Sequence, residues 1–472
     1  MSDAGPSVAD DTRLDPAIWR IAAVAAIGSF MAQLDATVVN VSLSSLAAEL
    51  HANITTVQWV TSGYLLTLAL MLPLNGWLVD RIGAKKLYLG CFVAFTLSST
   101  LCGLAWSAGS LIGFRILQGI SGGLLAPMAQ MMIARAAGKR FARVVGFVAV
   151  PVLLAPLLGP VIAGAILQFA SWRWLFLINL PVGALALALA SAFLPSDAGE
   201  TRPRSLDFIG LALLSPGLVL FLYSSDHLDN RFGWASIAAA LVLLALFAIS
   251  AWKKGDAALI DLRLLTRKAF STSLTTMFLT NGVAFAGQML VPIYLIRQCG
   301  LSPSETGWLM APLGLGMMCT YPFIGALTDR FGIRHLVACG AVLALVGVAP
   351  LVYMAAHGMN FMLFVAALFV RGVGMSTIGV PSISSAYAAV AKQDLPMATG
   401  AMNIVQRLGG PTLTTVVATF LGWRTGLASS PSPLSSAFAA SFVLLCGLHI
   451  LLFLAALRLP VNIDRQPIQA KP

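Results

Sequence analysis

Apolar residues in this chain fall in long unbroken blocks, not in the short amphipathic stripes of a soluble fold. Crossing a bilayer takes roughly 17–25 mainly apolar residues. On that ruler the blocks predict helices near 18–47, 56–79, 87–106, 109–134, 143–169 and 174–194. Two more are predicted near 208–224 and 233–252, and six near 270–296, 304–328, 335–356, 360–390, 399–422 and 435–457. A polar stretch from Pro195 to Asp207 separates the sixth from the seventh, and a cationic segment from Lys253 to Lys268 separates the eighth from the ninth. The pattern is that of an all-α polytopic membrane protein with fourteen transmembrane helices.

The polar turns repeat. Gly76-Trp77-Leu78-Val79-Asp80-Arg81-Ile82-Gly83 and Gly325-Ala326-Leu327-Thr328-Asp329-Arg330-Phe331-Gly332 both read G-x-L-x-D-R-x-G, 249 residues apart, with cations following. A second pair, Leu117-Gln118-Gly119-Ile120-Ser121-Gly122 and Val370-Arg371-Gly372-Val373-Gly374-Met375, is offset by 253. One helix and its loop use roughly 30 residues, so the offset spans about eight helices and both copies face the same side. A parallel repeat of six-helix halves around two inserted helices satisfies count, offset and orientation. The divisions are 1–195 for the first half, 196–268 for the inserted pair and linker, and 269–472 for the second half.

Composition excludes a soluble protein. Hydrophobic residues make up 58% and charged residues 10%, with a mean hydropathy of +0.87, where a soluble chain carries about 25% charge. A net charge of +11 does not point to nucleic acid, because the cations sit in short loops with no basic face or stacking platform. With a cytoplasmic N-terminus, 22 of the 29 lysines and arginines fall on the inner side and four on the outer. Arg115, Arg371 and Arg407 lie within helices. That bias predicts both termini cytoplasmic. The first apolar block lacks a convincing cleavage site and reads as an uncleaved helix. The six cysteines and five histidines are dispersed, which suggests no metal site. There is no G-x-x-x-x-G-K-[ST] loop, so any energy source is a gradient.

Ionisable groups inside a membrane helix cost about 2.5–3.5 kcal/mol each on insertion scales and therefore need a reason. Asp35 lies 15 residues beyond Arg20, or roughly 22 Å at 1.5 Å per residue. Arg115 enters its helix from the opposite side to a matching depth, so the two can be neighbours, directly or through Gln118. The pair reads either as a static brace between helices or as a carboxylate that exchanges protons. Gln33, Thr37, Asn40 and Ser44 share one face of the first helix, with Asp35 and Ser42 nearly opposite. One of these faces is expected to line a cavity; the pattern does not say which. The fifth helix carries Pro156, Gly159, Pro160 and Gly164, residues that bend a helix and let another approach closely. In the second half Asn281, Gln288, Arg371, Asn403, Gln406 and Arg407 are polar groups at membrane depth, suited equally to helix–helix hydrogen bonding or to substrate contact. His449 reads as packed. Glu305 and Asp207, after Ser302 and Ser205, read as helix caps. Leu259 to Leu265 reads as a segment along the inner membrane surface, anchored by Arg263, Arg267 and Lys268.

These motifs resemble the major facilitator superfamily, and within it the fourteen-helix drug:proton antiporters of the EmrB and QacA type. Leu34-Asp35-Ala36-Thr37-Val38-Val39-Asn40-Val41-Ser42-Leu43 is similar to the family's first-helix signature, departing at Ser42 and Ser44. Trp59 and Tyr64 match W-x4-Y, Arg115 to Gly119 matches R-x-x-Q-G, and Trp172-Arg173-Trp174-Leu175-Phe176-Leu177-Ile178-Asn179-Leu180-Pro181 follows W-R-W-x-F-x-I-N-x-P. Gly159-Pro160-Val161-Ile162-Ala163-Gly164 resembles the antiporter signature G-P-x-x-G-G, with Ala163 for one glycine. The resemblance implies a major facilitator fold in a 6+2+6 arrangement in the cytoplasmic membrane. It implies proton coupling near Asp35 and Arg115, and a substrate cavity between the halves, with Gln33, Thr37, Asn40, Gln118 and the second-half polar groups as candidate contacts. It implies an inner gate at Gly76, Asp80, Arg81, Gly83, Asp329 and Arg330. Export of apolar or amphipathic compounds, driven by protons with no cofactor, is the expected activity; an uptake carrier or a single-metabolite exporter is the alternative. A membrane enzyme would need a polar catalytic cluster at one face, and the sequence shows none. A periplasmic adaptor stays open as a partner in a double-membrane bacterium.

Overall fold

The computed structural model describes residues 15–197, 205–225, 231–426 and 434–461. Of the inner cation set, Arg13, Arg465 and Lys471 at the chain ends and Arg202 and Arg204 between 198 and 204 lie outside the described residues. Among the described residues there are seventeen α-helices and no strand. The first eight are α1 (Pro16–Glu49), α2 (Ile54–Met71), α3 (Leu74–Ile82), α4 (Ala84–Gly103), α5 (Ala108–Ala137), α6 (Phe141–Phe169), α7 (Trp174–Leu177) and α8 (Asn179–Phe193). The pair α9 (Phe208–Ser225) and α10 (Arg231–Lys254) follows, then α11 (Lys268–Arg297), α12 (Pro303–Thr320), α13 (Ile324–Phe331), α14 (Ile333–His357), α15 (Phe361–Ala388), α16 (Leu395–Gly426) and α17 (Leu434–Ala456). Eleven stretches are long and apolar enough to cross a membrane, so this is a multi-pass membrane protein.

The predicted helix 56–79 is two helices, α2 and α3, and 304–328 is likewise split into α12 and α13 by a 3₁₀ turn at Tyr321–Phe323. A proline sits at each break, Pro73 and Pro322, and a proline has no N–H with which to continue the ladder. The two prolines are 249 residues apart, so the break belongs to the repeat. Packing repeats as well. α1 lies on α5, α6 and α8 as α11 lies on α15, α16 and α17, while α2 meets α5 as α12 meets α15.

Contacts between the halves cross over. α16 packs on α3 and α5, and α6 packs on α13 and the 321–323 turn. All of these gather at the end that carries the two G-x-L-x-D-R-x-G turns. Small residues permit the approach: a Cβ on Gly76 would meet the Pro396 carbonyl at 3.2 Å, and one on Gly325 would run into the Arg143 backbone. Phe141 and Tyr387 close the same end edge to face at 5.1 Å. A single apolar cluster joins Met128, Ile133 and Phe141 of the first half to Tyr387, Leu395 and Met402 of the second. Towards the opposite end the core divides into separate clusters, one around Trp172 and Phe176 and one around Tyr294 and Phe442.

The linker after α10 does not lie on a membrane surface as its pattern suggests. Leu259, Ile260 and Leu264 are buried in the shared cluster, since the groove between the halves offers them an apolar protein contact. Asp207 holds the linker to the start of α9. It accepts from the Gly210 and Leu259 N–H groups at 2.9 and 3.2 Å and pairs with Lys254. Burial alone would raise this carboxyl, but the Lys254 and backbone hydrogen bonds outweigh it and hold it below the ordinary aspartate range. Ser302 and Glu305 form the expected capping box on α12.

Each D-R-x-G turn ends on a glycine that no other residue replaces comfortably, Gly83 at φ +94° and Gly332 at φ +75°. At Gly83 a Cβ would also collide with the Asp197 carboxylate, which accepts from the Lys85 and Lys86 N–H groups at 2.8 and 2.9 Å. Lys85 Nζ donates to the Ser191 and Leu194 carbonyls at 2.9 and 2.8 Å. Its repeat partner Arg334 donates from Nε to the Leu459 carbonyl at 2.6 Å, so each half ties the end of its last helix to the start of its third. Gly83→Ala is expected to cost about 1–3 kcal/mol and to lower the thermal midpoint of the detergent-purified protein. Gly90→Ala, in a helix with open space around it, is the control and is expected to leave the midpoint unchanged or slightly raised.

Candidate functional site

α1 has two polar sides, and the structure gives each a different neighbour. Asp35 turns inward and is 2% exposed. Its Oδ2 accepts from Arg115 Nη1 at 2.5 Å, and its Oδ1 accepts from Gln118 Nε2 at 3.0 Å and Asn179 Nδ2 at 2.9 Å. Arg115 and Gln118 stand one turn apart on α5, and Arg115 Nη1 also donates to Gln118 Oε1 at 2.8 Å. The sequence allowed a direct pair or one relayed by Gln118; the structure shows both at once.

A second layer holds these groups in place. Arg115 Nε donates to the Val60 carbonyl at 3.2 Å. Its Nη2 has no hydrogen-bond partner, but the guanidinium lies over the Tyr64 ring, 4.1 Å from the centroid, a cation–π contact that offsets part of the missing bond. Asn179 Nδ2 also donates to Ser99 Oγ at 3.0 Å, and Ser99 in turn donates to the Phe176 carbonyl at 2.9 Å. α1, α2, α4, α5 and the α7–α8 junction thus all meet at one carboxylate.

On the other side of α1, Gln33 and Asn40 are exposed. Thr37 bonds back to the Gln33 and Leu34 carbonyls and reaches the Ala155 carbonyl of α6 at 3.4 Å. Gly159 lies directly against Thr37, where a Cβ would clash. α6 runs through Pro160 without a break, with Pro160 and Gly164 exposed. The side chains of Ser44 and Pro156 lie outside the described residues. In the second half, Arg371 is 1% exposed and donates from Nη2 to the Val283 carbonyl at 2.9 Å, leaving Nε and Nη1 without partners. Asn281 and Asn403 bond back to the Met277 and Thr399 carbonyls at 3.1 and 2.9 Å. Gln406 and Arg407 are partly exposed and Gln288 is exposed. Gln118 and Arg371 are therefore sealed inside their own halves and are not walls of any opening in this conformation. At the D-R turns Arg81 lies over Trp77 and Arg330 over Phe331, each 5.5 Å from the ring centroid, and Arg81, Asp329 and Arg330 are exposed. His449 is fully buried with Nδ1 against the Leu445 carbonyl at 2.8 Å.

Sequence reasoning passed over Asn179, Ser99 and Tyr64 as parts of this constellation. Asn179 lies within the W-R-W-x-F-x-I-N-x-P match, an amide in an apolar run two residues before Pro181, but the match alone names no partner for it. Breaking a buried ion pair from one side costs about 3–5 kcal/mol, because the partner's charge is left buried. Asp35→Asn is accordingly expected to lower thermal stability by an amount of that order. Arg115→Gln added to it is expected to recover part of the loss. If the two losses simply add, the pair is not the unit that stabilises the first half.

The comparisons with known proteins agree with this architecture. The family model of the Major Facilitator Superfamily matches residues 25–290 and 272–471. A "Multidrug resistance protein B homolog" of Mycobacterium tuberculosis is 34% identical over 420 residues, covering 87% of this chain and 78% of the relative. Among solved structures, the proton:xylose symporter XylE superposes with a TM-score of 0.61 at 15% identity, covering 93% of this chain and 94% of that one. The human organic anion transporter MFSD10 superposes with a TM-score of 0.64 at 17% identity, covering 94% of this chain and 100% of that one. With an all-helical repeat, a shared contact end and these matches, the chain belongs to the Major Facilitator Superfamily, in the branch that holds its multidrug resistance proteins.

Proposed function

We propose that this chain is a proton-coupled antiporter that exports apolar or amphipathic small molecules across the cytoplasmic membrane by alternating access. The observation that carries the reading is the buried carboxylate of Asp35. It is the one acidic side chain among the described residues in the interior of an apolar span, and three N–H donors from two other elements converge on it. Both carboxylate oxygens already accept hydrogen bonds and Oδ2 carries the Arg115 ion pair, so a proton reaching Asp35 removes the charge that holds these donors together. Proton arrival and rearrangement of α1 against α5 and α8 are thereby one event. The relative from Mycobacterium tuberculosis, named for multidrug resistance, supports drugs as the cargo.

The membrane topology of this reading has fourteen crossings with both termini cytoplasmic. Ala108–Phe169 is one of the eleven apolar stretches but holds both α5 and α6, which Gly138 divides at φ +51°. Phe208–Ser224 is apolar but short, and α16 is long but polar. Counting α5 and α6 apart and adding α9 and α16 gives fourteen, in halves 1–195 and 269–472 around the pair and linker at 196–268. The cation-rich turns then face the cytoplasm, and the contacts at Gly76, Asp80, Arg81, Gly83, Asp329 and Arg330 form a closed inner gate. The cavity opens outward. Gln33, Asn40, Gln288, Gln406 and Arg407 supply its polar wall, and Pro156, Gly159, Pro160 and Gly164 carry α6 along α1 beside it. Gln118 and Arg371 act from behind the wall, by positioning.

No cofactor enters this scheme. One charge moving down 100 mV supplies about 2.3 kcal/mol, and a pH difference adds to it. In an efflux-deficient host, expression is expected to lower cell-associated dye, and a protonophore is expected to restore it. Asp35→Asn at equal expression is expected to abolish the effect. Raised accumulation on expression would point instead to an uptake carrier, and full resistance with Asp35→Asn would remove Asp35 from the coupling.

A further inference from the structure

Resting on the transport reading, we infer that the preferred cargo is an amphiphile carrying a negative charge, a carboxylate or sulfonate, and that Arg407 is the group that binds it. The inference starts from the balance of fixed charge at membrane depth. Among the described residues, Asp35, Arg115, Arg371 and Arg407 are the Asp, Glu, Lys and Arg side chains in the interiors of the long helices, and the one histidine there, His449, is sealed within α17. Asp35 and Arg115 compensate each other. The other acidic side chains sit in loops or near helix ends. Arg371 and Arg407 have no carboxylate beside them, so the interior of the protein holds a positive excess.

The two arginines differ in access. Arg371 is sealed within the second half against the Val283 carbonyl. Arg407 is partly exposed, and among the described residues no ion pair or hydrogen bond from its side chain occurs. It lies 12 residues into α16, roughly 18 Å along the helix at 1.5 Å per residue, near the middle of a core about 30 Å thick. It also lies within electrostatic reach of Tyr64 on α2, in the other half. The same Tyr64 ring carries the Arg115 guanidinium on its face. Other polar side chains left exposed or partly exposed at membrane depth, Gln33, Asn40, Gln288, Asn403 and Gln406, are neutral amides. A cargo cation would meet a like charge here with no acid to offset it, and a cargo anion would meet an unpaired guanidinium with free donors. In a partly desolvated site that difference is large, and a guanidinium fits a carboxylate or sulfonate with two parallel hydrogen bonds.

The position links cargo to the proton site. Arg407 and Arg115 both lie within electrostatic reach of Tyr64, so an anion bound at Arg407 bears on the Asp35–Arg115 pair through that shared neighbour.

The test compares two dyes of one skeleton and opposite charge, fluorescein and rhodamine 6G, by fluorescence anisotropy on the full chain in nanodiscs of neutral lipid, with no gradient present. The wild-type chain is expected to bind fluorescein at least about tenfold more tightly than rhodamine 6G, or about 1.4 kcal/mol. Arg407→Gln is expected to remove that preference, and Arg407→Lys to keep part of it. Equal or tighter binding of rhodamine 6G by the wild type overturns the inference without recourse to any variant. An unchanged dye ratio in a folded Arg407→Gln chain overturns the role of Arg407. Because binding is read without transport, a fluorescein preference in a chain that fails to export would leave this inference standing and remove the export reading. Protonophore-sensitive export with a rhodamine preference would do the reverse.

Discussion

The buried carboxylate of Asp35 is the constraint on which the first half depends. A charge at that depth is tolerated only if every lone pair facing protein is met and a counter-charge lies beside it. Meeting it takes Arg115 and Gln118 from α5 and Asn179 from the α7–α8 junction, with Ser99, Val60 and Tyr64 holding those groups in turn. Five elements are therefore registered against one another by one side chain. The same arrangement makes the site responsive, because neutralising the carboxylate removes the reason for all of them to meet there.

The second half repeats the scaffold without repeating the charge pair. Pro73 and Pro322 break the same helix, Gly83 and Gly332 end the same turn, and Lys85 and Arg334 tie the same helix ends. Arg371, however, aligns with Gln118 and meets a backbone carbonyl where Gln118 meets Asp35. At Gly287 of α11 the Arg371 guanidinium lies where a side chain would stand. One half thus carries the titratable group, and the other carries unpaired positive charge. In the antiport reading proposed above, this asymmetry divides the work of proton and cargo between two similar bundles.

Much of this was legible in the sequence because lipid imposes a harsh and simple rule. Long apolar runs had to be helices, and Asp35 and Arg115 had to be neighbours because neither is tolerable alone at matched depth. The repeat followed from two short turns, which also mark the end where the halves meet. Rotation of α1 was not legible, since Gln33 and Asn40 on one side are as polar as Asp35 and Ser42 on the other, and only packing separates an exposed side from a sealed one. Asn179 stands in the Trp172–Pro181 match, and nothing along the chain says that its amide reaches Asp35, 144 residues away. Leu259 to Leu265 misled for a different reason: apolar residues flanked by Arg263 and Arg267 look alike whether they rest on lipid or in a groove of protein, and here the groove between the halves takes them.

In the antiport reading, cargo movement and the Asp35 proton are one coupled event. The most direct measurement is proton flux in proteoliposomes holding the purified chain, with a pH difference imposed and a pH-sensitive dye inside. Adding cargo is expected to accelerate decay of the pH difference in the wild type and to leave it unchanged with Asp35→Asn. Cargo movement that proceeds with no change in proton flux, or cargo-stimulated flux that persists in Asp35→Asn, would contradict it.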